Sequence, residues 1–352
     1  MPVQLLPFPQ YLHPAFGQTI GKLPVTRDGV GRLAPGTFTT SKDCFARLRI
    51  RRHRTDVTAN GLCGLLPYQV FLDGTVAFHE RTLTPRLVRQ ESLVRADAGA
   101  LGKPVLLTVP SLANWWARNA SALRDGGNTL KFCGNDNDYT LNDVALVANT
   151  PGGIPLDVPG PLVIADGHHR AETHARLGAA GVAGFGHVPV CLIGAEELHI
   201  GTFARLLAPE VSVATLAWLE ANEEITELDA PLAPTGVGEW LLLFRGRYFR
   251  FHRRVRRGDA TDVDWLNTVV LPPACGITDV RSDDRITFEP VHDPVDGRIT
   301  DTFSPDHLVL IGFPLPRERF FAEVGAGRVL PPKSTRFEPR VPSGLVVWGG
   351  GG

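Results

Sequence analysis

The spacing of hydrophobic and polar residues changes several times along the chain, and each spacing predicts one kind of element. A short apolar run at residues 162–164 follows a stretch rich in proline and glycine, which is typical of a buried strand. Beyond Gly167 the apolar residues recur every three or four positions up to Gly178, which indicates a helix and its end. The intervening segment, Asp-Gly-His-His-Arg at residues 166–170, is therefore predicted to be a strand-to-helix turn.

Short strands and helices alternate through most of the 352 residues. Alternating apolar residues on both sides of Asp73-Gly74 predict a β-hairpin over residues 68–80, because Asp-Gly favours a type I′ turn. Helical spacing over residues 84–101 precedes the apolar run of KPVLLTVPS, which predicts a buried strand. A second hairpin is predicted over residues 239–254. This alternation predicts an α/β (α+β) fold, and the length predicts two domains with a boundary near residues 198–210.

Composition and charge exclude several classes of protein. The apolar fraction of 43% supports a sizeable core, and a formal net charge of −1 disfavours a nucleic-acid binder that depends on a bulk positive field. Neither a membrane-spanning run nor a secretory signal is found, so we expect no membrane partner. The five cysteines are scattered and never spaced as CxxC, which favours a reducing, cytoplasmic location. We interpret two arginine-rich stretches as solvated strand or hairpin faces: Arg47, Arg49, Arg51, Arg52 and Arg54, and Arg253, Arg254, Arg256 and Arg257.

The turn at residues 166–170 allows three interpretations. A zinc site is disfavoured because His169 and His174 are five residues apart rather than four, and no HExxH motif is found. A purely structural turn would use Asp166 as a helix N-cap. A phosphate site explains more of the residues, because free N–H groups at a helix N-terminus bind anions and an arginine adds a bidentate donor.

Three motifs in the same order resemble the free serine kinases of the ParB/sulfiredoxin superfamily and a bacterial family that shares their signature. The first is His79-Glu80 followed by GKPVLLTVPS, the second is the Asp-Gly-His-His-Arg turn, and the third is PPKST within residues 330–347. The resemblance covers residues 60–347. The chain departs from the family pattern at Phe78, where a proline is expected, and in residues 1–58, which lack the family's early Pro-Pro-Tyr-Asp-Val type segment.

The resemblance implies a fold and a domain order. It implies a variable segment at residues 1–58, a ParB/sulfiredoxin-like nucleotide-binding core at residues 59–200, and an additional α/β domain at residues 201–352. The active-site cleft would lie between the two domains. The late PPKST segment is expected to fold back onto this cleft and close the substrate pocket.

The resemblance also assigns a role to each motif residue. Glu80 would be the base at the acceptor hydroxyl, and Asp166 would hold Mg²⁺ or orient that hydroxyl. The nucleotide phosphates would be held by the turn: Gly167, His168, His169 and Arg170. The substrate amino acid would be held by the late motif, with Thr335 at its carboxylate: Lys333, Ser334, Thr335 and Arg336. From the residues alone, Lys333 and Arg336 are equally typical of solvated loop charges.

These roles imply a Mg²⁺-dependent kinase that transfers a phosphoryl group from ATP or ADP to a free amino acid, with L-serine giving O-phospho-L-serine. Threonine, homoserine or another small hydroxy acid is an alternative acceptor. Sulfiredoxin chemistry is excluded because its cysteine is replaced by His168. A different class, a non-catalytic nucleotide-binding switch of the ParB type, remains open, although a switch needs no acceptor base such as Glu80.

Overall fold

The structure is a computed structural model, and its described residues form two compact units. It describes residues 3–15, 36–53, 57–82, 84–96, 102–110, 112–134, 137–148, 150, 152–158, 160–254, 260–291 and 304–349. The first unit comprises Met1–His199, Val324–Arg328 and Pro339–Gly352, and the second comprises Ile200–Glu323 and Val329–Glu338. The end of the chain therefore belongs to the first unit. Parts of the segment 1–58, the end of the predicted helix at residues 97–101, and Arg54, Arg256 and Arg257 lie outside the described residues.

A large mixed sheet forms the first unit. The strands of this unit are β1 Gln4–Leu5, β2 Phe8–Pro14, β3 Phe38–Arg52, β4 Thr58–Pro67, β5 Val76–Ala77, β6 Val105–Val109, β7 Leu123–Cys133, β8 Asn137–Leu146, β9 Ile154–Pro155, β10 Leu162–Asp166 and β11 His187–Gly194. The main sheet has the order β5-β10-β6-β11-β4-β3-β8-β7, with β2 paired to β3. Strands β1 and β9 pair separately. Residues of the segment 1–58 thus contribute strands β1 to β3 to this unit.

Three helices accompany this sheet within the described residues: α1 Thr84–Ala96, α2 Ala113–Asn119 and α3 His168–Ala179. The apolar positions of α3 that follow the helical spacing, Ala171 and Ala175, join the same core as Leu107 and Ile164 of the sheet. The period read from the sequence therefore identified the face of α3 that packs against the strands.

The hairpin predicted over residues 68–80 is wrong. Residues Tyr68–Phe71 form a 3-10 helix after Pro67, and β5 pairs in parallel with β10 rather than with a preceding strand. Val70 and Phe71 are both buried in the core, which alternation along a strand would not allow. The Asp73-Gly74 turn itself is present, since Gly74 has a φ of 86° and Asp73 Oδ1 accepts a hydrogen bond from the Thr75 backbone.

The strand directions bring three segments to one edge of the sheet. Strand β6 runs antiparallel to β10, so Lys103, just before β6, lies near the end of β10. Strand β5 runs parallel to β10, so the chain leaves β5 at the edge where Asp166 ends β10. Helix α3 begins at the same edge, directly after Gly167.

The remaining strands are β12 His199–Gly201, β13 Phe203–Leu207, β14 Ile225–Leu228, β15 Glu239–Phe244, β16 Arg247–His252, β17 Ile286–Pro290, β18 Leu308–Gly312 and β19 Arg336–Glu338. The sheet of the second unit has the order β14-β16-β15-β18-β13-β17. The other helices are α4 Pro209–Asn222, α5 Asp262–Trp265, α6 Leu271–Cys275 and α7 Arg317–Gly325, with a π-helical turn at Leu266–Val270. The predicted hairpin of β15 and β16 is confirmed, with positive φ at Arg245 and Gly246.

Helices and strands in both units confirm the predicted mixed α/β (α+β) class. The two arginine-rich stretches differ in exposure. Arg47, Arg49 and Arg51 are exposed on β3, whereas Arg253 is buried and pairs with Asp262 at 2.7 Å. The prediction of a solvated face is therefore wrong at Arg253. Across the described part of the chain, no helix has the length and apolar character needed to span a bilayer.

Candidate active site

A carboxylate surrounded by three cationic side chains forms the centre of the candidate site. Oδ2 of Asp166 lies 2.7 Å from Nζ of Lys103 and 3.1 Å from Nη2 of Arg170. Oδ1 of Asp166 lies 3.5 Å from Nη1 of Arg340. Lys103 and Arg170 are buried, whereas the Arg340 side chain keeps 31% of its surface exposed. One negative and three positive groups give these four side chains a formal charge of +2.

The N-terminus of α3 adds backbone donors beside this cluster. Gly167 precedes the helix with a φ of 106° and makes no side-chain cap hydrogen bond. The N–H groups of the first helical turn have no acceptor within the helix and lie at the positive end of its dipole. A Cβ at position 167 would lie 2.6 Å from Nη2 of Arg170, so glycine also leaves room for the guanidinium.

Burial and neighbouring charge set the protonation states of the ion pair. Burial raises the pKa of Asp166, but the charges of Lys103, Arg170 and Arg340 outweigh it and hold that pKa well below its usual range. Burial lowers the pKa of Lys103 to about 8, because the Asp166 charge only partly offsets the loss of water. At pH 7 the carboxylate is ionised and Lys103 is mostly protonated.

The Arg170 guanidinium has hydrogen-bond acceptors at Nη2 but none at Nε among the described residues. Its Nη2 donates to Asp166 and, at 3.4 Å, to the Pro104 carbonyl oxygen. Its Nε is buried and has no hydrogen-bond partner among the described residues. A buried guanidinium N–H without an acceptor is costly, and an anion at this helix terminus would supply the missing acceptor.

A buried histidine ring, His79, and a half-buried one, His168, lie beside the turn. Nε2 of His168 lies 3.3 Å from Nδ1 of His79, and the ring centroids are 4.4 Å apart in an edge-to-face arrangement. Burial lowers the pKa of His79 to about 4, and burial together with the nearby His79 ring lowers that of His168 well below its usual value. Both rings are therefore neutral at pH 7. Because Nε2 of His168 already contacts His79, only the backbone N–H and Nδ1 of His168 could contact a phosphate.

Glu80 lies at the same sheet edge as Asp166. The last paired residues of the parallel strands are Ala77 and Val163, and Glu80 and Asp166 each lie three residues beyond this pair. Neighbouring strands are separated by about 4.8 Å. Glu80 is half-buried and follows directly after His79, which contacts the α3 turn. The sheet therefore directs both predicted carboxylates to one edge.

The magnesium role predicted for Asp166 does not fit this geometry. Both carboxylate oxygens already face cations, and a divalent ion bound to them would lie next to three positive side chains. No group of three or more His, Cys, Asp or Glu side chains in the described part of the chain is arranged to hold a metal ion. Asp166 is instead an anchor that fixes the positions of the cations.

The late motif residues lie in the second unit, where Lys333 contacts Phe203 and Arg205. Lys333 has a φ of 60°, its carbonyl oxygen accepts a hydrogen bond from the buried Arg205, and its Nζ lies 5.1 Å from the Phe203 ring centroid. Ser334 Oγ donates to the Pro331 carbonyl oxygen. These contacts fix the turn of the PPKST segment.

The side chains of Arg336 and Glu338 form an ion pair and are largely buried. Arg336 is therefore not the solvated loop charge that its sequence context allows. Its guanidinium is already committed to a carboxylate on the same strand, β19.

Comparison with known proteins identifies the family. A family model described as "Protein of unknown function (DUF1015)" matches residues 33–270, which is more than half of the chain. The chain belongs to the DUF1015 family. No curated protein matches this DUF1015 chain significantly.

Solved structures similar to this DUF1015 protein include three that we compare here. SbnI with a C-terminal truncation, from Staphylococcus aureus, is 16% identical with a TM-score of 0.45, covering 80% of this chain and 85% of its own. A conserved hypothetical protein from Pyrococcus furiosus is 16% identical with a TM-score of 0.42, covering 80% and 93%. A mutant free serine kinase in complex with AMP is 15% identical with a TM-score of 0.44, covering 80% and 92%.

Two residues of the site in this DUF1015 protein were not predicted from the sequence. Lys103 was noticed only as the start of an apolar strand, and Arg340 only as part of the late motif. The available signal for Lys103 is a lysine placed directly before a buried strand, where a charge needs a partner. Arg340 has no comparable local signal, because its partner Asp166 is distant in sequence.

Proposed function

We propose that this protein is a phosphotransferase that moves a phosphoryl group from ATP or ADP to the side-chain hydroxyl of a free amino acid, L-serine in particular. The proposal joins the three sequence motifs with the charge arrangement at Asp166. A single observation carries it: one half-buried carboxylate pairs with three cations at the N-terminus of helix α3, beside the strand that leads to Glu80.

The cation cluster supports binding of a polyanion rather than of a neutral ligand. A formal charge of +2 at a largely buried site is costly in water-poor surroundings unless an anion compensates it. The α3 N–H groups and the unpartnered Nε of Arg170 provide directional donors in the same place. A terminal phosphate group of a nucleotide matches both the charge and the number of acceptor oxygens.

The proposed reaction places each group in an ordinary role for phosphoryl transfer. Glu80 accepts the proton of the acceptor hydroxyl as its oxygen forms a bond to the terminal phosphorus. The bond between that phosphorus and the leaving nucleotide oxygen breaks, and the nucleotide keeps the electron pair. Lys103, Arg170 and Arg340 stabilise the negative charge that develops on the phosphate oxygens. The nucleotide enters as its Mg²⁺ complex, so the metal is part of the substrate.

The acceptor is assigned from the motif resemblance. We propose that Thr335 binds the carboxylate of the amino acid, while Ser334 and Lys333 keep the segment in its turn conformation. Thr335 is half-buried and follows the turn directly. Its hydroxyl can donate one hydrogen bond to a carboxylate.

The test is a direct search for the product. The protein is incubated with Mg²⁺, ATP or ADP, and each hydroxy amino acid in turn, and the phospho-amino acid and shortened nucleotide are quantified by mass spectrometry. We expect O-phospho-L-serine in equal amount to the shortened nucleotide. Lys103→Met should abolish the activity, whereas Lys131→Met, which removes an exposed lysine of β7, should leave it unchanged.

Two results would overturn the proposal. Nucleotide binding without phosphorylation of any hydroxy amino acid would favour the nucleotide-binding switch. Nucleotide loss without a phospho-amino acid would indicate a hydrolase.

A further inference from the structure

A cavity separate from the Asp166 cluster lies in the first unit, at the opposite edge of the sheet. Its volume is about 670 Å³, within the range of small-molecule sites. Glu196 and Glu197 line it and follow the end of β11, which runs parallel to β6. Lys103 and the phosphate site lie at the start of β6, so the five residues of this strand, about 16 Å, separate the two sites.

The walls of this cavity are built by specific contacts. Asn60 donates to both carboxylate oxygens of Glu197, through its side chain at 2.7 Å and its backbone at 3.2 Å. Glu196 accepts a hydrogen bond from the Leu112 backbone at 3.0 Å. A Cβ at Gly194 would lie 2.6 Å from the Glu196 carboxyl, so glycine is what allows Glu196 to fold back. Both carboxylates are therefore fixed in place and still have acceptor capacity for a ligand.

The cavity also has an aromatic wall and cations. Trp116 is half-buried and packs edge-to-face on Trp115, with ring centroids 5.2 Å apart. Arg47 and Arg124 line the cavity, and neither guanidinium has a hydrogen bond or ion pair within the described part of the chain. Ala117, next to the indole, leaves space along the helix.

We propose that this cavity is a binding site for a free aromatic α-amino acid. Two arginines and three carboxylates, Asp125 included, line it, so a purely anionic ligand would meet more negative than positive groups. A zwitterion satisfies both signs: its carboxylate binds Arg47 and Arg124, and its ammonium group binds Glu196 and Glu197. An aromatic side chain packs on the Trp116 indole.

Calorimetry with L-tryptophan tests the site, and two analogues test the recognition of each charge. L-Tryptophan should bind, while tryptamine, which lacks the carboxylate, and indole-3-propionate, which lacks the amino group, should each bind at least about tenfold more weakly, as expected for loss of a charge-assisted contact. Arg47→Ala should weaken binding of L-tryptophan by a similar factor. Ala117→Leu, which fills the cavity from an exposed helix position, should abolish it.

Two controls separate this site from the rest of the surface and from the phosphate site. Arg49→Ala removes an exposed arginine two positions further along β3 and should leave binding unchanged. Arg170→Ala should also leave it unchanged. Absence of binding at millimolar L-tryptophan, equal binding of the analogues, or binding that persists in Ala117→Leu would each overturn the proposal. Displacement of L-tryptophan by AMP in the Arg170→Ala variant would overturn it in favour of a nucleotide site.

Discussion

Nζ of Lys103 and Oδ2 of Asp166 are 2.7 Å apart, between the start of one strand and the end of its antiparallel neighbour. Burial lowers the pKa of the lysine, whereas the neighbouring cations outweigh burial at the aspartate and hold its pKa well below the usual range. The affinity of the proposed phosphate site for anions should therefore depend on the protonation of Lys103.

Nucleotide affinity should fall as the pH rises through about 8. Lys103 carries its charge only when protonated, and in the free protein its pKa is about 8, so its proton is lost above that pH. Loss of one charge-assisted contact corresponds to about a ten- to hundredfold weaker affinity. Calorimetry with ADP between pH 6.5 and 9 would measure the change. In Lys103→Met the affinity should be low throughout, with only the titration of ADP itself remaining.

Gly167→Ala should weaken nucleotide binding while the sheet remains intact. The left-handed backbone at this position is unfavourable for alanine by about 1–2 kcal/mol, and the new methyl group would displace the Arg170 guanidinium. We expect a lower melting temperature and at least about a tenfold rise in the Kd for ADP. Gly181→Ala, at a left-handed position with open space, should lower stability without changing the Kd.

Glu80→Gln should lower turnover, whereas Arg170→Ala should weaken nucleotide binding. Glutamine keeps the shape of glutamate but cannot accept a proton, so turnover should fall on the order of 10²–10⁴-fold with nearly unchanged nucleotide affinity. Arg170→Ala, like His169→Ala, removes donors to the phosphates and should weaken nucleotide binding about ten- to hundredfold. Binding of a non-hydrolysable nucleotide and turnover are measured side by side. A Glu80→Gln enzyme with wild-type turnover would show that another group is the base.

Stability should fall between about pH 6.5 and pH 4 because of the buried His79 ring. The pKa of His79 is about 4 in the folded protein, against an ordinary value of 6.5, so in this window the unfolded chain binds more protons. Acidification therefore favours unfolding, by on the order of 3 kcal/mol for His79. Urea denaturation at pH 7 and pH 4.5 would measure the loss. His79→Gln should show a smaller difference between the two pH values, and an unchanged difference would contradict the assignment.

Thr335→Ala should raise the KM for the amino acid far more than the KM for the nucleotide, because the proposed contact is with the substrate carboxylate. Ser334→Ala is the matched control. Its hydroxyl donates to the Pro331 carbonyl oxygen, so this variant should lose stability and change both constants equally. The double variant should add the two effects. Equal changes in Thr335→Ala would make the segment a structural element only.

The sequence predicted local elements better than the contacts between distant segments. The turn before α3 was evident because an apolar run, Asp166-Gly167 and helical spacing lie next to each other. The hairpin over residues 68–80 failed because alternation cannot distinguish two paired strands from a 3-10 helix that leads into a strand paired elsewhere. The three cations around the oxygens of Asp166 were not evident from the sequence for a related reason, since they come from three separate segments.

Residues near the end of the chain bond to much earlier residues of the first unit. Leu12 and Val347 exchange backbone hydrogen bonds of 2.8 and 2.9 Å, Gly344 donates to the Gly102 carbonyl oxygen at 2.7 Å, and Arg340 reaches Asp166. Because a ribosome delivers the chain from its N-terminus, strands β2 to β11 emerge long before these residues. During translation the nascent chain therefore has Asp166 with only two of its three cations. The proposed phosphate site would therefore reach its full charge only after the ribosome has passed Arg340.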